Sequence, residues 1–210
     1  MKKVKTSLLF KFMAVISALF VVASLVFVVV NVRLQRQLTL ENSLHDADYL
    51  SSPDGIVFFD DTACVLKNLI ADGYLIIVIT NQSGIARGYY KMSDAENVNK
   101  SINSLLREKG AQIHDFYICP HHPEYTGSCE CRKPGTLLLK KAISDHNIDI
   151  KKSWFVGDKC SDIICGQREG LKTALVLTGY GRQQVDRCHP DIVCDHLTDF
   201  FERMRSYGKY

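Results

Sequence analysis

The stretch that most constrains the fold is Tyr74 to Gly88, YLIIVITNQSGIARG, where five branched or long apolar residues, Leu75 to Ile79, end abruptly in Thr80, Asn81, Gln82 and Ser83. A run that short, rich in Ile and Val and stopped by small polar groups, reads as a buried strand of a parallel sheet emptying into a loop. In an open α/β sheet, ligands sit at the loops that leave the carboxyl ends of the strands. Thr80, Asn81, Gln82 and Ser83 are therefore candidate binding groups. Arg87 adds a fixed positive charge suited to phosphate, and Gly84 and Gly88 let the loop turn sharply. Taken alone, a Thr-Asn pair is equally well explained as a polar cap on a core strand.

The rest of the chain repeats the pattern. Ser51 to Gly55 is a turn signal and Ile56 to Phe59 a short extended run. Val65, Leu66, Leu69 and Ile70 recur at helical spacing, and Gly73 ends that helix. Ser93 and Glu96 form a capping box for a helix with Val98, Ile102, Leu105 and Leu106 along one face. A strand is expected over 113–118, a helix over 136–146, a strand over 154–156, a helix over 161–169 and a strand over 173–177. Helix and strand alternating at short spacing mean an α/β fold with a doubly wound parallel sheet.

Between Cys119 and Cys131 the segment CPHHPEYTGSCEC supplies Cys-x-His and then Cys-x-Cys. Three thiolates and one imidazole complete a tetrahedral Zn²⁺ shell, so Cys119, His121, Cys129 and Cys131 are the expected ligands of a structural zinc, with His122 as substitute for His121. A disulfide or idle thiols is the competing reading. Four protein ligands leave no open position for a catalytic water. Arg132, Lys133 and Pro134 follow at once. Farther on, WFVGDKCSD ends an apolar strand in Gly157 and Asp158, with Lys159 next and Asp162 four residues after the first acid. Carboxylates at a strand's carboxyl end suit Mg²⁺, which favours oxygen donors and phosphate, and Asp158 and Asp162 are the candidates.

The first fifty residues differ in kind. Phe12 to Val30 is nineteen residues without a charge, preceded by four lysines and followed by two arginines. A helix of that length spans about 28 Å, close to a bilayer's hydrocarbon core, so a transmembrane helix over residues 12–30 is expected. Its richness in Val and Phe leaves open a buried helix or two core strands instead. Residues 1–50 are thus expected to be membrane anchor and connector, and 51–205 the folded domain. With 46% apolar and 23% charged residues the chain as a whole is globular rather than disordered. Residues 1–40 carry six basic groups and no acid, leaving 20 basic against 23 acidic groups beyond them, which gives no basic face for nucleic acid. Excess lysine before the span points the domain outward. Thiolate metal ligands favour a reducing cytoplasm, and a cytoplasmic, monomeric domain held at the inner membrane is the expectation.

Together TNQSGIARG, CPHHP with CECRKPG, and VGDKCSD resemble the haloacid dehalogenase-like phosphatases, specifically the heptose-bisphosphate and histidinol-phosphate phosphatase group with a zinc loop. The resemblance covers about residues 46–200. It implies a Rossmann-like fold, Mg²⁺ dependence, a structural zinc, and hydrolysis of a sugar phosphate monoester, in making the lipopolysaccharide core sugar, through an aspartyl-phosphate. In that scheme Thr80 and Asn81 hold the phosphoryl group, Lys133 neutralises its charge, Arg132 contacts substrate, and Asp158 binds Mg²⁺ with Asp162 and Lys159 in support.

The family's chemistry starts at a D-x-D-G-T motif after the first strand, where the first Asp attacks phosphorus. Counting back from HDADYLSSPDGIVFF places those two positions at Leu38 and Leu40, which can neither attack nor carry a proton, and puts RLQRQ where a central apolar strand belongs. Three substitutes are available: Asp46 with Asp48, Asp60 with Asp61, or LVFVVVN as the missing strand, with Asn31 at the nucleophile's position. The expected function is a sugar-phosphate phosphatase lacking its usual nucleophile, against which stand a non-catalytic, membrane-tethered sugar-phosphate-binding module and a zinc-dependent interaction protein.

Overall fold

The computed structural model describes residues 26–30, 50 and 52–207. Six strands, β1 (Val26–Val30), β2 (Tyr74–Asn81), β3 (Asp115–Cys119), β4 (Trp154–Gly157), β5 (Lys172–Val176) and β6 (Ile192–Cys194), form one sheet in the order β3-β2-β1-β4-β5-β6. Every pairing is parallel. The longer helices are α1 (Thr62–Ala71), α2 (Met92–Glu108), α3 (Leu137–His146), α4 (Cys160–Arg168) and α5 (Leu197–Ser206). The doubly wound parallel sheet expected from the alternation is present.

The side chains show why the strands read as continuous apolar runs. Ile76 and Val78 of β2, with Trp154 and Val156 of β4, pack on one face against Val65 and Leu69 of α1, Val98 and Ile102 of α2 and Phe200 of α5. The intervening Ile77, Ile79 and Phe155 pack on the other face against Leu139 and Ala142 of α3 and Cys165 of α4. Successive strand residues point to opposite faces, so a strand covered on both sides needs an apolar residue at each position. Each such Ile or Leu contributes roughly 1.5–3 kcal/mol by leaving water.

The structure corrects the expected membrane span. The last five residues of the 12–30 run are not helical: Val26–Val30 is strand β1, paired with β2 (Val26 with Tyr74, Val29 with Ile77) and with β4 (Val28 with Trp154, Val30 with Val156). A run of Val and Phe satisfies a bilayer and a doubly covered central strand alike, and the β-branched residues of VFVVV tip the balance to strand. Residues 12–25 lie outside the described residues. Among those described, no helix is long and apolar enough to cross a membrane. The central strand that counting back put at RLQRQ therefore exists earlier in the chain, and it lies on the amino-terminal side of the boundary expected at residue 50.

Two smaller differences have local causes. Ile56 to Phe59 has no ladder partner among the described residues; Ile56 and Phe58 pack on the α1 face of the core. The carboxylate capping α2 is Asp94, which accepts from the Lys91 backbone N–H at 2.8 Å, so the helix starts earlier than a Ser93–Glu96 box implies.

Candidate functional site

The strand order fixes where a ligand would lie. Running outward from β1, the sheet goes one way through β2 and β3 and the other way through β4, β5 and β6, so the strand order reverses between β1 and β4, and a fold of this kind places its ligand at the carboxyl ends of the strands there. Asp158 directly follows β4, Thr80 and Asn81 end β2, and in the primary sequence Asn31 directly follows β1.

Lys133 is the best-determined group there. It is 5% exposed, and its Nζ lies 2.8 Å from Asp162 Oδ1 and donates to the Ile79 carbonyl at 2.6 Å. Its backbone is clamped by Asn81, whose Oδ1 accepts from Lys133 N at 3.0 Å and whose Nδ2 donates to Lys133 O at 3.2 Å. The Asn81 amide is thus committed to positioning the lysine. Asp162 is 1% exposed; besides the ion pair, its Oδ2 accepts from the Lys159 backbone N–H at 3.1 Å and so caps α4. Gly157 is required for that approach, because a Cβ there would overlap the Asp162 side chain. A buried ion pair holds only when the remaining polar atoms are also engaged, and here a carbonyl and a helix amide do so.

Asp158, 3% exposed, accepts from the Tyr180 backbone N–H through Oδ2 at 3.0 Å. Thr80 Oγ1 accepts from Gln82 Nε2 at 3.1 Å, and Gln82 Oε1 in turn accepts from the Tyr90 hydroxyl. Ser83 opens a short helical turn, Ser83–Ala86, after β2. Arg87 turns toward the Cys/His loop: it donates to the Tyr125 hydroxyl at 3.1 Å, lies 3.0 Å from His122 Nε2, and its guanidinium carbon sits 4.8 Å from the Tyr125 ring centre. Arg132 donates to the His121 carbonyl at 3.2 Å. The β2 loop and the Cys/His loop are therefore fastened to each other.

The four expected metal ligands converge. The ligand atoms of Cys119, His121, Cys129 and Cys131 all lie within 4.8 Å of one another. The Cys129 sulfur is 3.7 Å from that of Cys119 and 3.4 Å from that of Cys131, and His121 Nδ1 is 3.2 Å from Cys131 Sγ. Burial and the neighbouring thiols push Cys131 up, and burial likewise raises Cys119. Burial also opposes ionisation of Cys129, but hydrogen bonds from Cys131 and the Arg132 backbone outweigh it and hold that thiol below its ordinary value. Zn–S bonds of about 2.3 Å in a tetrahedron need sulfurs about 3.8 Å apart; the Cys119–Cys129 pair meets this, while Cys119 and Cys131 lie closer, at 2.8 Å, so it is the donor set of three thiols and one imidazole, rather than its spacing, that suits a four-coordinate soft cation. His122 is not in the group; it caps the short helical turn Pro123–Thr126.

Of the nucleophile substitutes, Asn31, Asp46 and Asp48 lie outside the described residues. Asp60 is exposed at the turn before α1, and its neighbour Asp61 is held by Thr198 N at 2.9 Å at the start of α5. Sequence reading missed Tyr180, whose contribution is a backbone N–H and carries no residue signature. It also missed the Cys160–Cys188 disulfide, since 28 residues of separation give no spacing motif.

Comparisons with known proteins agree with this geometry. A HAD-hydrolase-like family model matches residues 130–200. A D-glycero-beta-D-manno-heptose-1,7-bisphosphate 7-phosphatase of Haemophilus ducreyi is 36% identical over 160 residues, covering 73% of this chain and 88% of that protein. The corresponding enzyme of Pasteurella multocida is 39% identical over 159 residues, covering 73% and 86%. The crystal structure of D,D-heptose 1,7-bisphosphate phosphatase from B. bronchiseptica, complexed with magnesium and phosphate, superposes with a TM-score of 0.74 at 23% identity, covering 88% of this chain and 99% of that one. That likeness is one of fold. With the strand order, the strand-end groups and the relatives in agreement, the chain belongs to the heptose-1,7-bisphosphate 7-phosphatase family of HAD-like hydrolases.

Proposed function

We propose that the chain binds a heptose 1,7-bisphosphate and hydrolyses one of its phosphate monoesters. The observation that carries this reading is Lys133: a buried ammonium pinned by Asp162 and the Ile79 carbonyl, with Asn81 fixing its backbone, at the strand ends that also carry Asp158. A pinned cation can neutralise charge developing on the phosphoryl oxygens at no cost in reorganisation, which is the main demand of phosphoryl transfer.

In this reading Thr80 donates its hydroxyl to a phosphoryl oxygen, Arg132 contacts the sugar's other anionic group, and Gln82, Ser83 and Arg87 shape the loop around them. Asp158 would hold Mg²⁺, a role that suits a buried carboxylate at a strand end; Asp162, occupied with Lys133 and the α4 amide, supports from behind. Bound there, Mg²⁺ supplies further charge compensation to the phosphate. Zn²⁺ on Cys119, His121, Cys129 and Cys131 would fix the loop to which Arg87 is tied. Attack on phosphorus would fall to a carboxylate of the segment following β1, which holds Glu41, Asp46 and Asp48; in the D-x-D pair Asp46 would attack while Asp48 gives its proton to the leaving ester oxygen and takes one back from the water that then hydrolyses the acyl phosphate.

A second reading, binding without turnover, is favoured by one observation: Asn31, a carboxamide, follows β1 directly. Phosphate release from heptose 1,7-bisphosphate with Mg²⁺ separates the two. Hydrolysis requires release by the wild type that Asp46→Asn abolishes and Asp158→Asn lowers by about 10²–10³. Binding alone requires no release by the wild type and a gain of release in Asn31→Asp. Neither binding nor release in any of these proteins would refute both readings.

A further inference from the structure

The segment between β5 and β6 returns across the carboxyl end of the sheet and is fastened beside Asp158. The Tyr180 backbone N–H donates to Asp158 Oδ2 at 3.0 Å, and Lys159 Nζ lies 4.1 Å from the Tyr180 ring centre. Gln184 Oε1 accepts from the Cys160 backbone N–H at 3.4 Å. Gly181 packs so tightly on the end of β5 that a Cβ there would overlap the Val176 carbonyl. The last fastening is covalent: a disulfide joins Cys160, the first residue of α4, to Cys188, with Cα atoms 5.6 Å apart, an ordinary spacing for such a bridge. Cys160 is two residues beyond Asp158, so the bridge ties the segment to the turn that presents the carboxylate.

Five of the other six cysteines set a contrast; the sixth, Cys64, is exposed on α1. Burial pushes the Cys165 and Cys194 thiols up to about 12, which keeps them protonated and unreactive. Cys119, Cys129 and Cys131 converge with His121 in a group whose ligand chemistry requires reduced sulfur. A chain that needs reduced thiols in one loop carries a disulfide in another, and that disulfide involves a partly exposed cysteine beside the Lys159 cation.

We propose that Cys160 and Cys188 are a reversible thiol–disulfide site whose state sets how firmly residues 178–188 are held over Asp158, the exchange partner being a low-molecular-weight disulfide of the glutathione class. The Cys160 thiolate attacks one sulfur of that disulfide and releases one small thiol; the Cys188 thiolate then displaces the second. Two protein thiols become one protein disulfide as one small disulfide becomes two thiols, and the two protons lost by the cysteines go to the released thiolates. In the reduced form the hydrogen bonds and ring contact remain, but the covalent stop is gone and the segment opens more often.

The test uses the zinc-loaded full chain in buffers of stepped reduced-to-oxidised glutathione ratio, read by thiol alkylation with peptide mapping and by amide hydrogen exchange. The expected result is a bridge at Cys160–Cys188 that forms and breaks across the series, with amides of 178–184 exchanging about fivefold or more faster once it is broken. The double variant Cys160→Ser/Cys188→Ser exchanges at the fast rate throughout. A pair that stays reduced in the most oxidising buffer, or a bridge whose loss leaves exchange unchanged, overturns the proposal. Neither readout uses Mg²⁺ or substrate. A chain that failed to bind or hydrolyse the sugar phosphate would therefore count against the function proposed above, while these readouts alone decide the bridge.

Discussion

At Lys133 the fold commits a charge to the interior, and the commitment can be measured. Lys133→Met removes the cation but leaves Asp162 buried, so urea denaturation should show a loss of about 3–5 kcal/mol, most of it recovered when Asp162→Leu is added. A loss equal in the single and double variants would show that the pair is not the source. His114 makes a second prediction at this scale. Its Nδ1 accepts from the Ile76 backbone N–H at 2.9 Å, where β2 and β3 begin to pair, and burial holds it below its ordinary value of 6.5. With the folded value depressed, the unfolded chain binds the proton first. The His114 contribution is therefore complete above about pH 6.5 and is lost as pH falls below it. Stability measured from pH 7.5 to 5 should fall, and less steeply in His114→Gln. Residue chemistry of this kind was largely legible: the strand-end Thr-Asn, the Lys-Pro and the Gly-Asp stand where the sequence placed them. The Asn81 clamp was not, because it joins residues 52 positions apart and depends on which way an amide turns.

Strand β1 was the element hardest to read. Its five residues sit at the end of a nineteen-residue apolar run, and hydropathy alone does not distinguish a bilayer from two covering layers of helices. Only the pairing with β2 and β4 decides it. A proline at Val28 would remove an amide from a strand bonded on both sides, so Val28→Pro should abolish cooperative thermal unfolding by circular dichroism. Retention of wild-type melting would mean that the strand is dispensable. The Cys/His cluster was legible for the opposite reason, since its four candidate ligands lie within thirteen residues, and their donor atoms do converge. If the cluster holds Zn²⁺ as proposed, a chelator should lower the melting temperature and free Arg87 from the loop, and re-addition of Zn²⁺ should restore both. A melting curve indifferent to chelator would show that the loop holds itself without metal.

Across the whole molecule, the candidate site is a product of topology: β1 at the centre, β2 and β4 on its flanks, and groups from distant segments brought together at the carboxyl end of the sheet. The described part of the chain gathers a cation, the amide that clamps it and a carboxylate at the carboxyl end of the sheet, and the proposed ligand is the heptose bisphosphate of the family's name. The most direct measurement is calorimetric titration of heptose 1,7-bisphosphate into the full chain with Mg²⁺, beside Asp158→Asn. The account predicts saturable binding by the wild type, weakened about tenfold or more in the variant, a difference of about 1.4 kcal/mol. Absence of binding by the wild type, or equal affinity in the two proteins, would contradict it.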